Sequence, residues 1–194
     1  MRIKEIFYSL QGEGAMTGRP AIFVRFSGCN LSCPFCDTDF KGGDEYTEDE
    51  LVEAIEKMRP CKFIVFTGGE PTLQLTDSLI DRLHRKAYFL AMETNGTRKY
   101  PKYMDWVTVS PKGDFCPNAL VYPSNTLASE VKVVYDGSND PDKYAYLGAL
   151  KYVQPCDTGD PEKNREIIEK TVEWLKKHPR WRMSLQTQKI INVR

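Results

Sequence analysis

The chain has 194 residues, of which 41% are hydrophobic and 28% charged, with 27 basic and 27 acidic side chains. This composition is ordinary for a globular protein with a hydrophobic core, and the length predicts one domain over residues 1–194. The balanced charge argues against nucleic acid or an anionic membrane as a partner. The sequence has no apolar run near the roughly 18 residues of a membrane span, and its mixed N-terminus does not resemble a signal peptide. We therefore expect a cytoplasmic protein.

Apolar runs and amphipathic stretches alternate along the chain. The apolar runs predict strands at 20–26, 62–66, 88–92, 106–110, 130–135, 151–154 and 181–186. Thr47 and Glu50 form a capping-box pattern that begins a helix over 47–58, and Thr76 can cap a second helix. A third helix is predicted over 161–177, with Pro161 near its start. Its apolar stripe is predicted to be core and consists of Ile167, Ile168, Thr171, Val172, Trp174 and Leu175.

This alternation predicts an α/β fold with a mainly parallel sheet and right-handed crossovers. Helical patterning is poor between 92 and 106 and between 110 and 129. A complete eight-fold barrel also typically needs about 250 residues. We therefore expect an incomplete, TIM-like barrel of parallel strands in which some helices are reduced to loops. The active site of such a sheet lies at the C-terminal ends of its strands.

Three cysteines lie close together directly after the first predicted strand. Cys29, Cys33 and Cys36 have the spacing C-x3-C-x2-C. Three thiolates on a short loop can hold a 4Fe–4S cluster and leave one iron open for chemistry.

A structural zinc site is the main alternative for these cysteines, and it would need a fourth ligand. Asp37 could supply one, whereas His84 and His178 are isolated within predicted helices. A disulfide among the cysteines is a further alternative. The scattered Cys61, Cys116 and Cys156 are predicted to be small buried hydrophobic residues.

Polar residues follow four predicted strands, at the edge where the cysteine loop also lies. The segments are Thr67-Gly68-Gly69-Glu70-Pro71, Glu93-Thr94-Asn95-Gly96, Ser110-Pro111-Lys112 and Gln154-Pro155-Cys156-Asp157. A solvated loop, or a tight corner for the two glycines, would explain any one of them. Four on one edge favour a large polar ligand.

Several motifs identify a resemblance to known enzymes. GCNLSCPFC and TGGEP resemble the radical S-adenosylmethionine superfamily. Within it, the chain is similar to the 7-carboxy-7-deazaguanine synthase family. The motifs that carry this second resemblance are IFYSLQGEG (6–14), GRPAIFVRFSGCN (18–30), CDTDF (36–40), ETNG (93–96), VSPK (109–112) and the tail MSLQTQKIINVR (183–194). Together they cover essentially the whole chain.

The resemblance implies a lyase that converts 6-carboxy-5,6,7,8-tetrahydropterin to 7-carboxy-7-deazaguanine with loss of ammonia, in queuosine and related 7-deazapurine biosynthesis. The open iron of the cluster would bind S-adenosylmethionine, and its reductive cleavage would give a 5′-deoxyadenosyl radical that starts the ring contraction. The implied cofactors are a 4Fe–4S cluster, S-adenosylmethionine and Mg²⁺. The implied partners are the pterin, an electron donor such as flavodoxin or ferredoxin, and a second copy of the chain.

The resemblance also implies roles for individual residues, with no catalytic group beyond cluster and cofactor. Thr38 would ligate Mg²⁺. S-adenosylmethionine would contact Phe35, Cys36, Asp37, Gly69, Ser110, Pro111, Lys112, Gln154, Pro155, Cys156 and Asp157. The substrate would contact Leu10, Gln11, Gly12, Arg25, Thr67, Glu93, Gln188 and the terminal Arg194. In this set, Arg25 would hold the substrate carboxylate and Glu93 would accept two N–H bonds from its aminopyrimidine edge.

The tail departs from the family pattern at one position. Gln188 stands where relatives commonly have histidine, so an amide replaces an imidazole contact or the contact is lost. Two other functions stay open at this point. One is an activase that makes a glycyl radical on a partner protein, and the other is a non-catalytic, zinc-bearing binding module.

Overall fold

A nine-stranded sheet with a few helices organises the chain in this computed structural model, which describes residues 1–122 and 127–193. The strands are β1 (Arg2–Leu10), β2 (Pro20–Phe26), β3 (Asp44–Glu45), β4 (Phe63–Gly68), β5 (Phe89–Thr94), β6 (Trp106–Val109), β7 (Ala128–Tyr135), β8 (Gly148–Pro155) and β9 (Arg182–Met183). The helices are α1 (Glu48–Glu56), α2 (Asp77–Arg85), α3 (Pro161–Lys177) and α4 (Thr187–Ile190), with short 3₁₀ turns at Gly14–Met16, Pro71–Leu73 and Pro141–Tyr144.

The sheet is open and mostly parallel. Its strand order is β3-β1-β2-β4-β5-β6-β7-β8-β9. All neighbours from β2 to β9 run parallel, whereas β1 pairs antiparallel with both β2 and β3. In the described part of the chain, the two edge strands β3 and β9 do not pair with each other. The predicted α/β fold, an incomplete barrel of parallel strands, is confirmed.

The helices between the strands are reduced, as the weak helical patterning predicted. α1, α2 and α3 precede β4, β5 and β9, while the described parts of the β5–β6 and β6–β7 connections hold no helix. Thr47 and Glu50 form the predicted capping box at α1, and Thr76 caps α2 by accepting a hydrogen bond from the Leu79 amide. No helix among residues 1–122 and 127–193 is both long and apolar enough to cross a membrane.

The main core lies against β2, β4 and β5. The side chains at 63–66 of β4 are buried on both faces, which is typical of a central parallel strand. Along α3, Ile167 and Thr171 are buried, but Ile168 and Val172 are 42% and 37% exposed. The prediction that these last two are core is wrong, because α3 packs one narrow face on the sheet and they lie on its flank.

Several elements differ from the sequence-based prediction, among them the two-residue edge strand β3, which was not predicted. β1 was not predicted because a bulge between Ile3 and Glu5 interrupts its alternating pattern. The last strand is confined to Arg182–Met183 rather than spanning 181–186. The short helix α4 follows it and was not predicted, because no capping side chain marks its start.

A buried carboxylate ties the loops at the C-terminal edge of the sheet together. Glu70 is fully buried in the loop after β4. Its Oε1 accepts hydrogen bonds from the Thr72 amide (3.1 Å), the Thr72 hydroxyl (2.7 Å) and the Thr94 hydroxyl (2.7 Å), and its Oε2 accepts one from the Asn95 amide (2.8 Å). The Asn95 side chain then donates to Oδ1 of Asn30, next to Cys29 (2.9 Å). Glu70 therefore fixes the end of β5, and through it the cysteine loop.

We expect Glu70→Ala to lower the free energy of unfolding by about 3 kcal/mol or more, since buried donors left without an acceptor cost roughly 1–3 kcal/mol each. Urea unfolding followed by circular dichroism measures the change. Glu53→Ala is the control, because Glu53 is exposed on α1. Equal losses in the two variants would contradict the role given to Glu70.

Candidate active site

Two adjoining cavities open at the C-terminal edge of the parallel strands. The first, which we call the cysteine cavity, is lined by Cys29, Cys33 and Cys36 and by the loops after β4, β5, β6 and β8. The second, which we call the Arg25 cavity, lies over β1 and β2 and is lined by Arg25 and residues 10–13. Its volume of about 480 Å³ is in the range of small-molecule sites.

The three thiols of the predicted cluster loop line one wall of the cysteine cavity. Cys29 and Cys33 are half-buried, and Cys36 is exposed. The Leu31 amide donates to Sγ of Cys29 (3.4 Å), and the Cys36 amide donates to the carbonyl of Cys33 (3.2 Å). Burial raises the pKa of the Cys29 thiol and raises that of Cys33 to about 12. Cysteines bind metals as thiolates, so metal binding must displace these protons. The raised pKa values mean that the thiols stay protonated at neutral pH until a metal binds.

The donor set fits an iron–sulfur cluster better than a zinc ion. In residues 1–122 and 127–193, no three Cys, His, Asp or Glu side chains converge on a single-ion position. His84 bonds to Asp105, His178 stacks on Trp174, and neither histidine lines the cysteine cavity. In a cluster each thiolate binds its own iron, so the sulfurs need not converge on one point. Three cysteines at one cavity wall therefore suit a 4Fe–4S cluster with an open iron.

A fourth cysteine lies against this loop. Sγ of Cys116 is 3.6 Å from Sγ of Cys33, and Phe115 packs edge-on against Phe35 with their ring centres 4.6 Å apart. Cys116 is half-buried, so the prediction of a core position is wrong for it, whereas Cys61 and Cys156 are buried as expected. No local pattern in the sequence indicates this contact, because Cys116 lies 83 positions from Cys33 in a loop without periodicity.

The residues predicted to contact S-adenosylmethionine surround the cysteine cavity. Those that line it are Phe35, Cys36, Asp37, Gly69, Ser110, Lys112, Gln154, Pro155, Cys156 and Asp157. Pro111 is buried and is not among the lining residues. Packing alone also requires glycine at position 69, since a Cβ there would overlap the carbonyl of Gly28. The cofactor contacts themselves stay predictions.

Lys112 brings a half-buried positive charge to this cavity. Its ammonium donates to the hydroxyl of Ser110 and lies 5.9 Å from the ring centre of Phe35. Burial lowers the pKa of Lys112 to about 8. A bound anionic group would stabilise the charged form of this side chain.

The residues predicted to contact the substrate line the Arg25 cavity. They are Leu10, Gln11, Gly12, Arg25, Thr67, Glu93 and Gln188. Nε of Arg25 donates to Oε1 of Glu5 (2.7 Å), and the side-chain amide of Gln11 donates to Oε1 of Glu93 (2.9 Å). Arg194 lies outside the described residues, and its predicted role stays a prediction.

The two cavities share one wall. Six residues line both cavities: Glu13, Asp37, Thr38, Thr67, Glu93 and Gln186. Sequence reasoning named four of them but missed Glu13 and Gln186, and it also missed Lys132 behind the wall. The sequence could have indicated Lys132, since this charged residue is flanked by valines within a predicted strand, much as Arg25 is flanked by apolar residues.

The C-terminal tail closes over this shared wall. Nζ of Lys189 donates to Asp37 (2.6 Å) and to Asp157 (2.7 Å). The amide and hydroxyl of Thr187 both donate to the carbonyl of Gly12, at 3.1 and 2.7 Å. The bond from Lys189 and the Gly159 amide hold the pKa of Asp157 at about 2. The tail therefore joins the two cavities through charged contacts.

Comparisons with known proteins identify the family. The 7-carboxy-7-deazaguanine synthase of Bacteroides thetaiotaomicron is 47% identical over 194 residues, covering 100% of this chain and 98% of that protein. The chain belongs to the 7-carboxy-7-deazaguanine synthase family. A second synthase of this family, from Burkholderia multivorans, is 41% identical and covers 98% of each protein. The crystal structure of QueE from Escherichia coli has a TM-score of 0.75 and 28% identity, covering 95% of this chain and 92% of that one.

A family model described as the Radical SAM superfamily matches residues 23–112, which include the cysteine loop and Lys112. The predicted membership of the 7-carboxy-7-deazaguanine synthase family is thus confirmed, and the chain is a radical S-adenosylmethionine enzyme that acts on a small molecule. Membership implies a 4Fe–4S cluster and S-adenosylmethionine as cofactors. The glycyl-radical activase and the zinc-bearing module are set aside.

We expect Cys33→Ala to lose the cluster, because two of its three proposed thiolate ligands do not suffice to hold it. We expect Cys116→Ala to keep it, since Cys116 contacts a ligand but is not one of the three. Iron and sulfide analysis with electron paramagnetic resonance, after anaerobic reconstitution, measures both. A comparable loss of iron in Cys116→Ala would overturn the three-cysteine ligand set.

Proposed function

We propose that this chain converts 6-carboxy-5,6,7,8-tetrahydropterin to 7-carboxy-7-deazaguanine with loss of ammonia, in queuosine and related 7-deazapurine biosynthesis. When bound, the cluster and S-adenosylmethionine supply the radical chemistry, while the protein supplies binding and orientation. The single observation that carries the proposal is the shared wall, because a cofactor held at the cysteine cavity would face a substrate held in the Arg25 cavity.

The polar groups of the Arg25 cavity suit a carboxylated pterin. The guanidinium of Arg25 is the group to pair with its carboxylate, and the carboxylate of Glu93 can accept N–H bonds from its aminopyrimidine edge. Gln188 donates its amide N–H to Oε1 of Glu13 (3.0 Å), while its own Oε1 is buried with no protein partner among the described residues. A substrate N–H would satisfy this oxygen. The amide of Gln188 can therefore take the place of the histidine that is common in relatives.

We further propose that Thr38 ligates a Mg²⁺ ion together with substrate oxygens and water. Thr38 is half-buried and lies on the wall that both cavities share. Mg²⁺ takes oxygen donors and keeps several waters, so one hydroxyl from the protein can suffice. The proposal also includes a homodimer, a small electron-transfer protein such as flavodoxin or ferredoxin as reductant, a single domain whose tail contributes to the site, and a cytoplasmic location.

An anaerobic assay tests the proposal directly. Reconstituted enzyme would be incubated with 6-carboxy-5,6,7,8-tetrahydropterin, S-adenosylmethionine, Mg²⁺ and dithionite, with product and ammonia followed by mass spectrometry and an ammonia assay. We expect 7-carboxy-7-deazaguanine and ammonia in equal amounts. Enzyme with a full cluster and bound S-adenosylmethionine that forms neither product would refute the function.

We expect Arg25→Lys to raise the KM for the pterin about tenfold or more, because a point charge replaces a planar two-donor group and a hydrogen bond to a charged group contributes roughly 1.5–3 kcal/mol. The affinity for S-adenosylmethionine should change little. Arg165→Lys is the control, since Arg165 is exposed on α3. An unchanged KM in Arg25→Lys would remove Arg25 from the substrate site.

The lowered pKa of Lys112 predicts a pH dependence of cofactor binding. Burial lowers its pKa to about 8, so its charge is present below that pH and is lost as the pH rises through it. We expect the Kd of S-adenosylmethionine to rise between about pH 7 and about pH 9, because its carboxylate loses a charged partner. Isothermal titration calorimetry on the reconstituted enzyme measures it. Lys112→Arg should flatten the profile, and equal slopes would rule out this role.

A further inference from the structure

Lys132 is a charged residue placed in the middle of β7. Its neighbours Val131 and Val133 are buried in the core on one face of the strand, so its side chain points to the other face, where it lines the cysteine cavity. The side chain is only 6% exposed. A buried ammonium group is costly unless charged partners surround it.

Two carboxylates of the shared wall are those partners. Nζ of Lys132 forms a hydrogen-bonded ion pair with Glu13 and lies 3.6 Å from Oε2 of Glu93. Oε1 of Glu13 also accepts from Gln188 (3.0 Å) and Gln186 (3.2 Å). Lys132 thus lies between Glu13 and Glu93, two of the three acids that line both cavities, while side-chain amides donate to their other oxygens.

The charge of Lys132 controls the protonation of this wall. Burial alone would raise the pKa of Glu13, but the charge and hydrogen bond of Lys132 outweigh it and bring the pKa to about 2. The same pairing raises the pKa of Lys132 above its ordinary value despite burial. Burial raises the pKa of Glu130, two positions earlier on the strand. Without the cation, neighbouring buried carboxylates repel one another, and some of them would bind protons.

We propose that Lys132 is a positioning residue that holds the carboxylates of Glu13 and Glu93 in place across the wall, so that they accept N–H bonds from the aminopyrimidine edge of the substrate. This inference rests on the proposed function and deepens it. The aminopyrimidine edge of a pterin presents adjacent N–H donors, and carboxylates are the acceptors that match them. A protonated acid would offer an O–H donor instead and would clash with those donors.

Lys132→Met tests the proposal, because methionine keeps an unbranched side chain and removes the charge. We expect full cluster content, with a KM for the pterin at least tenfold higher. We also expect that KM to rise further as the pH falls from about 8 to about 6, as Glu13 takes up a proton. The wild type and Lys132→Arg should stay flat over this range. The control Lys151→Met lies on the adjacent strand and lines neither cavity.

A purely structural ion pair predicts a different result. It would lower the melting temperature and the cluster content of Lys132→Met without giving KM an acid-side dependence. An unchanged KM, or a raised KM that does not vary with pH, overturns the proposal.

A double variant covers the case in which Lys132→Met does not fold. Glu13→Gln/Lys132→Met pairs two neutral side chains and leaves neither member of that ion pair buried alone. If Lys132 acts through Glu13, replacing Lys132 should raise KM by a smaller factor in the Glu13→Gln background than in the wild-type background. For this comparison, Lys132→Gln supplies the single variant if Lys132→Met is insoluble. If replacing Lys132 raises KM by the same factor in both backgrounds, the proposal is overturned.

An infrared titration separates this inference from the proposed function. In reconstituted enzyme carrying ¹³C-labelled glutamate, a carboxylic acid band should appear between about pH 8 and about pH 6 in Lys132→Met but not in the wild type. If the wild type fails to convert the pterin, the proposed function fails, while this band still decides the role of Lys132. The same band in both proteins, or in neither, overturns it.

Discussion

One buried carboxylate determines how the loops above the sheet are arranged. Glu70 is fully buried, and each of its oxygens accepts hydrogen bonds from loops that would otherwise be independent. A buried charge of this kind is tolerated only when donors surround it, so the ends of β4 and β5 are fixed relative to each other. Through Asn95 and Asn30 the same network reaches the residue next to Cys29. The position of the cysteine loop is therefore a consequence of the folding of two neighbouring strands.

The rest of the site is built from charges placed on a rigid sheet. Arg25 and Lys132 both occur in largely apolar strands, and each meets a carboxylate, Glu5 and Glu13 respectively. Their strands pair with neighbouring strands along their length, which limits the freedom of these two side chains. Lys189 reaches the same region from the opposite end of the chain. Ordered strands thus position the charged side chains of the site.

Much of this arrangement could be predicted from the sequence, because short apolar runs and capping residues are local signals. The capping box at Thr47 and the strand at 20–26 are where the local pattern placed them. The family motifs named many of the residues that line the two cavities. What local signals could not give were contacts between distant segments. Cys116 beside Cys33 and Lys132 beside Glu13 each join residues more than 80 positions apart, and β1 was hidden by a bulge that breaks its alternation.

The wall between the cavities would couple the binding of the substrate to the binding of S-adenosylmethionine. Glu13 and Asp37 line both cavities, so a molecule that ordered these side chains from one side would spare the other molecule part of the entropic cost of ordering them. Such coupling is reciprocal, since the factor by which S-adenosylmethionine tightens the binding of the pterin equals the factor by which the pterin tightens the binding of S-adenosylmethionine. With such a wall, the site would be most fully assembled when both molecules are bound.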